Sequence, residues 1–453
     1  MYKTRFLFLI FITGFLYACQ PSAVRETVEP HPVTEEGLIA SSLYAAERVG
    51  TDEVKSDMLR RISLMKLAQN EFDAALDFAG QIPLQNVNDR TIADIAIAIN
   101  ERGERDRARS IAGQIESEYE KSRVLADVAV TYERAHEFRR GRELAEEIPD
   151  PNFKARAVAG IAVIYHAEGY GDLASRLFNQ ALRAARTEQS LTHHIETLLY
   201  IAEKYNEAGR QQDARDVFAD VRRLTENVHL EQHVVTVWSS ILNSYRQAGM
   251  NESVIDDAIA IARDMDDAEG YFRDELFSRV AVALMKSEDY ERSGSITGEI
   301  DDLPLRVTTY ARLSVIAHNR NDTEEADELL TEALTLSETI PDGAFKQRVL
   351  RDIGKNAVEM QRYDTVDLVT GMISEPHFAA EVAVHAAGAA LDAEDTDIFT
   401  RYLEQTVEAF DDVDDPVIQS GLLFDIAELY ERSGYTPDED TKLIVSRALH
   451  AVE

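Results

Sequence analysis

One unit recurs along this chain and restricts its fold more than any other feature. In Ile161 to Ala181 the apolar run Ile161-Ala162-Val163-Ile164-Tyr165 meets a break, His166-Ala167-Glu168-Gly169, and then a second run that keeps Ala174, Phe178 and Ala181 on one helical face. Two helices with Gly between them make a hairpin, because Gly enters the left-handed region without a Cβ clash and so ends the first helix. Small residues on the second helix let the two backbones approach closely. With the break as a ruler, the unit returns at Asn70, Gly103, His136, Gly169, Gly209 and Gly249, near Asp289, and at Asn321, Gln361, Ala393 and Gly434. The steps are about 33 or about 40 residues, the range of helical repeat arrays. After each break small or apolar residues recur at intervals of four and three, as in Ala75, Ala79, Ile82; Ala108, Ala112, Ile115; Ala214, Phe218, Val221; and Ala326, Leu330, Ala333. One hairpin alone leaves apolar surface in water, so a stack of about eleven is needed to build a continuous core.

Tyr165, Gly169, Ala174, Phe178 and Ala181 stand at the spacing where a tetratricopeptide repeat keeps its Tyr, its turn Gly and the small-large-small ridge of its second helix. The chain resembles the tetratricopeptide family. That resemblance implies an all-α fold: a right-handed α-solenoid of antiparallel helix hairpins with a concave groove lined by the first helices. Carrying over the family's groove positions gives Arg90 and Asn100, Arg123 and Glu133, Arg156 and His166, Glu196, Glu203 and Asn206, then Asn243 and Arg246. Of these, Arg90, Arg123, Arg156, His166, Asn206, Asn243 and Arg246 form the candidate partner-binding groove. The longer step is expected from helices extended by about a turn, as in 182–187 and 334–339. Glu453 ends the last helix, and nothing in the sequence says what shields that end.

The N-terminus has a different character. Residues 1–18 read as a signal peptide, with Lys3 and Arg5 ahead of the apolar run Phe6 to Leu16, which is too short to span a bilayer comfortably. Leu16-Tyr17-Ala18-Cys19 resembles a bacterial lipobox, with Tyr17 where a small residue is usual, and implies that Cys19 carries the lipid and its acyl chains. Cys19 is the sole cysteine, which leaves no intramolecular disulfide and no thiolate metal cluster. Residues 19–37, with Pro21, Pro30 and Pro32, read as a lipidated Cys and flexible tether, and residues 38–453 as the repeat array. Gln20 after the Cys favours the outer membrane, facing the periplasm.

A formal net charge of −36 excludes nucleic acid and polybasic lipid docking as modes of action. His193, His194, His229 and His233 fall about one repeat apart but lack a metalloprotease spacing, and no metal site is expected. The runs Asp264 to Asp267, Asp411 to Asp415 and Asp438 to Asp440 lack the Gly and Glu of a calcium loop and read as helix caps and solvated loops. No phosphate loop, nucleophile elbow or triad is present, so neither an enzyme nor a cofactor is expected. Arg105, Arg107, Arg109, Arg139, Arg140 and Arg142 are either a docking patch or local ion-pair partners. The expected function is a membrane-anchored periplasmic scaffold lipoprotein that binds protein or peptide partners in the cell envelope. The alternatives are an envelope receptor or enzyme with a small-ligand site in the superhelical hollow, or a surface-exposed adhesive lipoprotein.

Overall fold

The computed structural model describes residues 30–226, 228, 230–247, 252–265 and 270–453. Residues 1–18, read as a signal peptide, and Cys19, Gly249 and His229 lie outside the described residues. After a short 3-10 turn, Pro32–Glu36, come α1 (Leu38–Val49), α2 (Asp52–Ala68), α3 (Phe72–Ala79), α4 (Gln85–Glu101), α5 (Arg105–Ala112), α6 (Glu118–Arg134), α7 (Phe138–Glu147) and α8 (Pro151–Ala167). The chain continues through α9 (Gly171–Ala185), α10 (Leu191–Glu207), α11 (Gln211–Thr225), α12 (Glu231–Ser244), α13 (Ser253–Asp264), α14 (Tyr271–Lys286), α15 (Tyr290–Gly298) and α16 (Leu303–His318). It ends with α17 (Thr323–Glu338), α18 (Ala344–Glu359), α19 (Tyr363–Met372), α20 (Pro376–Asp392), α21 (Thr396–Asp411), α22 (Pro416–Ser433) and α23 (Glu439–Ala451). No strand occurs among the described residues, and none of their helices is long and apolar enough to cross a membrane.

Local chemistry sets the helix ends. The backbone has positive φ at Asn70, Gly103, His136, Gly169, Gly209, Asn321, Gln361 and Gly434, as the ruler places them, and at Glu288 and Glu394, each one residue from the position read in sequence. At Gly169 the turn closes by Gly169 N–H donating to the His166 carbonyl and Tyr170 N–H to the Tyr165 carbonyl, which satisfies carbonyls the helix leaves open. Several first helices start on a capping side chain: Asp150 ahead of Pro151, Asp415 ahead of Pro416, and Asp302, Ser117 and Ser190. Asp415 and Asp438, from the acidic runs, do this work at α22 and α23.

The two step lengths reside in the second helices. These have 8 residues in α3 and α5 and 9 or 10 in α7, α15 and α19, where the step is short. They have 15 in α9 and α11 and 16 in α17 and α21, where the step is long. The lengthening is thus nearer two turns than the one expected.

From α2 to α21 each first helix packs on the second helix that follows it, and α3, α5, α7, α9, α13, α15, α17, α19 and α21 also touch the next first helix. The four small-apolar sets named above are buried in these seams. Phe178 stacks on Tyr205 of the following hairpin with ring centroids 4.0 Å apart. Such a fully buried side chain contributes roughly 1.5–3 kcal/mol over leaving it in water. Successive first helices touch one another throughout, whereas second helices reach their neighbours mainly through first helices. The first helices therefore form the wall with the smaller circumference, on the concave side.

The two ends of this array meet. Helix α1 packs along α22 and also against α2, the kind of neighbours that α3, α5, α7 and α9 have, while α22 lies between α20 and α2. The array is thus a closed ring whose last hairpin is built from both ends of the chain, with α22 as first helix and α1 as second. Leu38 and Ala45 share one apolar cluster with Leu422, Leu423 and Ile426, and Ala46, Met58 and Ile62 share another with Phe424. Arg61 on α2 donates to the Gly421 carbonyl at 3.1 Å, pairs with Asp425, and lies 4.3 Å over the Phe424 ring. Helix α23 stands outside, against α21, α1 and the 3-10 turn, so the end that Glu453 closes is covered by the start of the chain.

Residues 31–36 differ from the flexible tether expected of them. His31 is buried, its N–H donates to Ser446 Oγ at 3.1 Å, and its Nε2 lies 3.1 Å from Glu453 Oε1. These partners lie more than 400 residues ahead, so a Pro-rich local sequence gave no sign of them.

Candidate functional site

Each first helix turns a stripe of residues away from its second helix and into the hollow of the ring. Counted back from the turn, the position nine residues earlier gives Arg61, Asp94 and Asp127 on α2, α4 and α6, then uncharged Gly160, Tyr200 and Ser240. It continues with Arg279, Arg312 and Asp352 on α14, α16 and α18, and His385 and Asp425 on α20 and α22. Most of the charges at this level are paired. Asp94 accepts Arg123 at 2.8 Å and lies 3.8 Å from Arg60; Asp127 accepts the Asn100 amide at 2.7 Å; Asp352 pairs with Arg351 at 2.8 Å; and Arg61 pairs with Asp425 across the closing seam.

Arg279 and Arg312 break this pattern. They stand at the same level on adjacent, packed helices and line one cleft of about 710 Å³ between α14, α16 and α18. Arg279 has only Glu275 of its own helix, at 3.3 Å, and Arg312 has no ion pair or hydrogen bond among the described residues. Although Arg312 stays exposed, desolvation by the cleft walls, and then the Arg279 charge, push its guanidinium below the ordinary arginine value. Val282, Leu305, Val315 and Ile316 supply the apolar part of the lining.

The groove residues read from sequence fall into two sets. Arg90, Arg123 and Arg156 share the position thirteen before the turn on three adjacent first helices, so the fold brings them to one level of the inner wall. Arg90 is exposed without a polar partner among the described residues, whereas Arg123 is held by Asp94 and by Glu120, both at 2.8 Å. Arg156 is half-buried, its guanidinium 5.5 Å from the Tyr200 ring centroid. Asn243 is exposed on α12. His166, Asn206 and Arg246 stand instead three before the turn, at the hairpin rim. There Asn206 donates to the Gln247 carbonyl at 2.8 Å and Arg246 to the Lys286 carbonyl at 2.6 Å, each tying one hairpin to the next. At the same position Asn100 and Glu133 are buried, so these two lie inside the hairpin stack and not on the groove.

Glu133 is the most perturbed carboxyl. Burial raises it to about 7, offset in part by Arg142 and the Tyr165 hydroxyl. It fits because Gly141 faces it: a Cβ there would come within 2.5 Å of Glu133 Cγ and 2.8 Å of the Ala129 carbonyl. The arginines of 105–142 are largely ion-pair partners. Arg105 meets Glu137, Arg107 meets Asp73, Arg109 meets Glu147, Arg139 meets Glu143, and Arg140 meets Asp106 and Glu137, mostly between successive repeats.

Of the histidines noted in sequence, His193 and His233 are exposed, and burial lowers the half-buried His194 below its ordinary value. A different trio, His31, His450 and Glu453, holds its ligand atoms within 4.8 Å of one another. His31 Nδ1 accepts the Val33 N–H at 3.3 Å, which leaves the proton of the neutral ring on Nε2, directed at Glu453. Glu453 also lies 3.3 Å from His450 Nδ1 and accepts from the Tyr44 hydroxyl at 3.3 Å. The group is therefore a hydrogen-bonded clasp between the chain ends, with the lone pair a metal needs on His31 already engaged.

No protein-family model and no curated protein matches the chain. Among solved structures, Ton1535 from Thermococcus onnurineus NA1 is similar at 16% identity and TM-score 0.31, over 74% of this chain and 99% of that one. A circular tandem repeat protein with novel repeat topology aligns at 16% identity and TM-score 0.18, over 93% and 94%. Yeast Tom70 aligns at 11% identity and TM-score 0.19, over 85% and 96%. At such scores the ring rests on this chain's own contacts.

Proposed function

We propose that the chain is a scaffold lipoprotein of the cell envelope, anchored through Cys19 and offering the inner wall of its ring to a protein or peptide partner. The observation that carries this reading is the cleft between α14, α16 and α18: a partly apolar recess on the concave face with a guanidinium that the protein itself leaves unpaired. Repeat arrays bind through such extended concave surfaces. The outer arginines, by contrast, are consumed in seams between repeats.

A photo-crosslinking residue at Thr308, in the cleft, should capture a stoichiometric envelope protein, whereas the same residue at Arg107, on the outer seam, should not. Equal capture from both positions, or none from Thr308, would remove the scaffold reading. The arginines of the same cleft give a second reading, a receptor for a small ligand. It is favoured if Thr308 captures nothing while a small anion raises the melting temperature. Replacing Cys19 by Ser should shift the protein from the membrane to the soluble fraction, and continued membrane association would end the anchoring proposal.

A further inference from the structure

We infer that the cleft between α14, α16 and α18 is a carboxylate-binding site, with Arg312 as its principal contact and Arg279 as its second, and that it takes an acidic side chain of an otherwise apolar peptide segment. The inference rests on the scaffold reading for the word peptide and on the geometry alone for the word carboxylate.

In a chain of net charge −36, carboxylates are abundant, and the other arginine of the same level, Arg61, has found one in Asp425. Two adjacent guanidiniums at one level repel each other, and the desolvation imposed by the cleft walls adds to that cost. Retaining both there is explained when an outside anion completes the site, since a guanidinium presents a planar fork of N–H donors that a carboxylate accepts in bidentate fashion. The acidic residues nearby do not fill this role. Asp302 caps α16 by accepting the Leu305 N–H at 2.7 Å, Asp352 is held by Arg351, and Glu381 beyond the cleft is taken by Lys355 at 2.8 Å. Glu275, also on the cleft wall, is engaged by Arg279 one turn along the same helix, and Glu359 lies about two turns down the wall from the arginines, at the level of Lys286. An anion at Arg312 would sit against Val282, Val315 and Ile316, and this apolar surround selects a carboxylate next to aliphatic groups over a fully hydrated one.

The test uses the chain with Cys19→Ser and three probes: a fluorescent nine-residue peptide alternating Leu and Glu, the same peptide with Gln for Glu, and free adipate. The expected result is saturable binding of the Glu peptide, at least about tenfold weaker for the Gln peptide and for Arg312→Gln, a difference of about 1.4 kcal/mol. Arg312→Gln without ligand should melt no lower than the parent, because it relieves a repulsion; that separates loss of the site from loss of the fold. Adipate binding that depends on Arg312, without peptide binding, would keep the carboxylate site and overturn the peptide. Equal responses of parent and Arg312→Gln to all three probes would overturn the site itself, whatever Thr308 captures.

Discussion

The hairpin α8/α9 and the closing hairpin α22/α1 have the same packing and opposite connectivity. In the first, the three residues Glu168, Gly169 and Tyr170 join two helices that fold together as neighbours. In the second, no turn exists, and the second helix arrives from the other end of the chain. A local hairpin is stabilised as soon as its own residues order, whereas the closing one forms only once every other repeat has set the position of α22 beside α2. The seam is correspondingly reinforced: Arg61 with Asp425 and Gly421 inside, the apolar cluster of Leu38 and Ala45 in the middle, and the His31–Glu453 clasp outside. Helix α1 is therefore the element most able to open without unfolding the rest.

The largest effect should come from removing residues 30–49. That strips the apolar face of α22 at Leu422, Leu423 and Ile426. Hydrogen exchange should lose its protection across α22 and α23 while α8 and α9 keep theirs. Loss spread evenly over the ring would mean that closure is a global rather than a seam property.

Next, Gly169→Val forces a β-branched residue to a φ of +86° and should cost about 1–3 kcal/mol in thermal or urea melts. The same change at Gly50, with φ +79° between α1 and α2, should register first as faster exchange in α1, because that helix can let go of the seam. Identical behaviour at the two glycines would erase the distinction drawn here.

Glu133→Gln probes a continuous hairpin through pH. The folded-state value, about 7, lies above the unfolded 4.5, so the folded protein holds the extra proton between them, and stability falls as pH rises through that window. At one pKa unit per 1.36 kcal/mol the loss is about 3 kcal/mol. Glu133→Gln should abolish this slope, leaving the variant similar to the parent near pH 4 and more stable at pH 8. A parent whose stability is flat from pH 4.5 to 7 would contradict the assignment.

The smallest effect belongs to Glu453→Gln at the clasp. Its carboxylate is held below the ordinary value by hydrogen bonds from His31 and then His450, so its contribution is present above the unfolded value and lost as pH falls through the lower folded one. The change should speed exchange at the 3-10 turn near neutral pH and leave the melting temperature close to that of the parent.

Much of this architecture was legible because it is periodic. The turn residues follow from the left-handed backbone they need, and the second-helix faces follow from four-and-three spacing, so Ala174, Phe178 and Ala181 could be read as core at sight. Closure was not legible, because Leu38–Val49 carries an ordinary amphipathic pattern, and nothing local tells that its partner begins at Pro416. The site was half legible. Positions carried over from an open groove led to Arg123 and Arg156, which reach the inner wall but are held there by Asp94, Glu120 and Tyr200. The like-charged pair Arg279 and Arg312 follows from the same ruler, nine residues before each turn, but only once the helix faces are known. Glu133 was hidden by Gly141, whose missing side chain makes the room for it.

The measurement that bears most directly on the closed ring is a spin-label distance between positions 69 and 431, in the chain with Cys19→Ser and cysteines placed there. The Gln69 amide and the Glu431 carboxylate lie 3.5 Å apart across the closing seam. Labels at 70 and 102, whose side chains meet across an ordinary seam, serve as the ruler. A single short distance for 69 and 431, as narrow as that for 70 and 102, is the predicted result. A broad distribution at long distance for 69 and 431, beside a short one for 70 and 102, would show an open superhelix and contradict the ring.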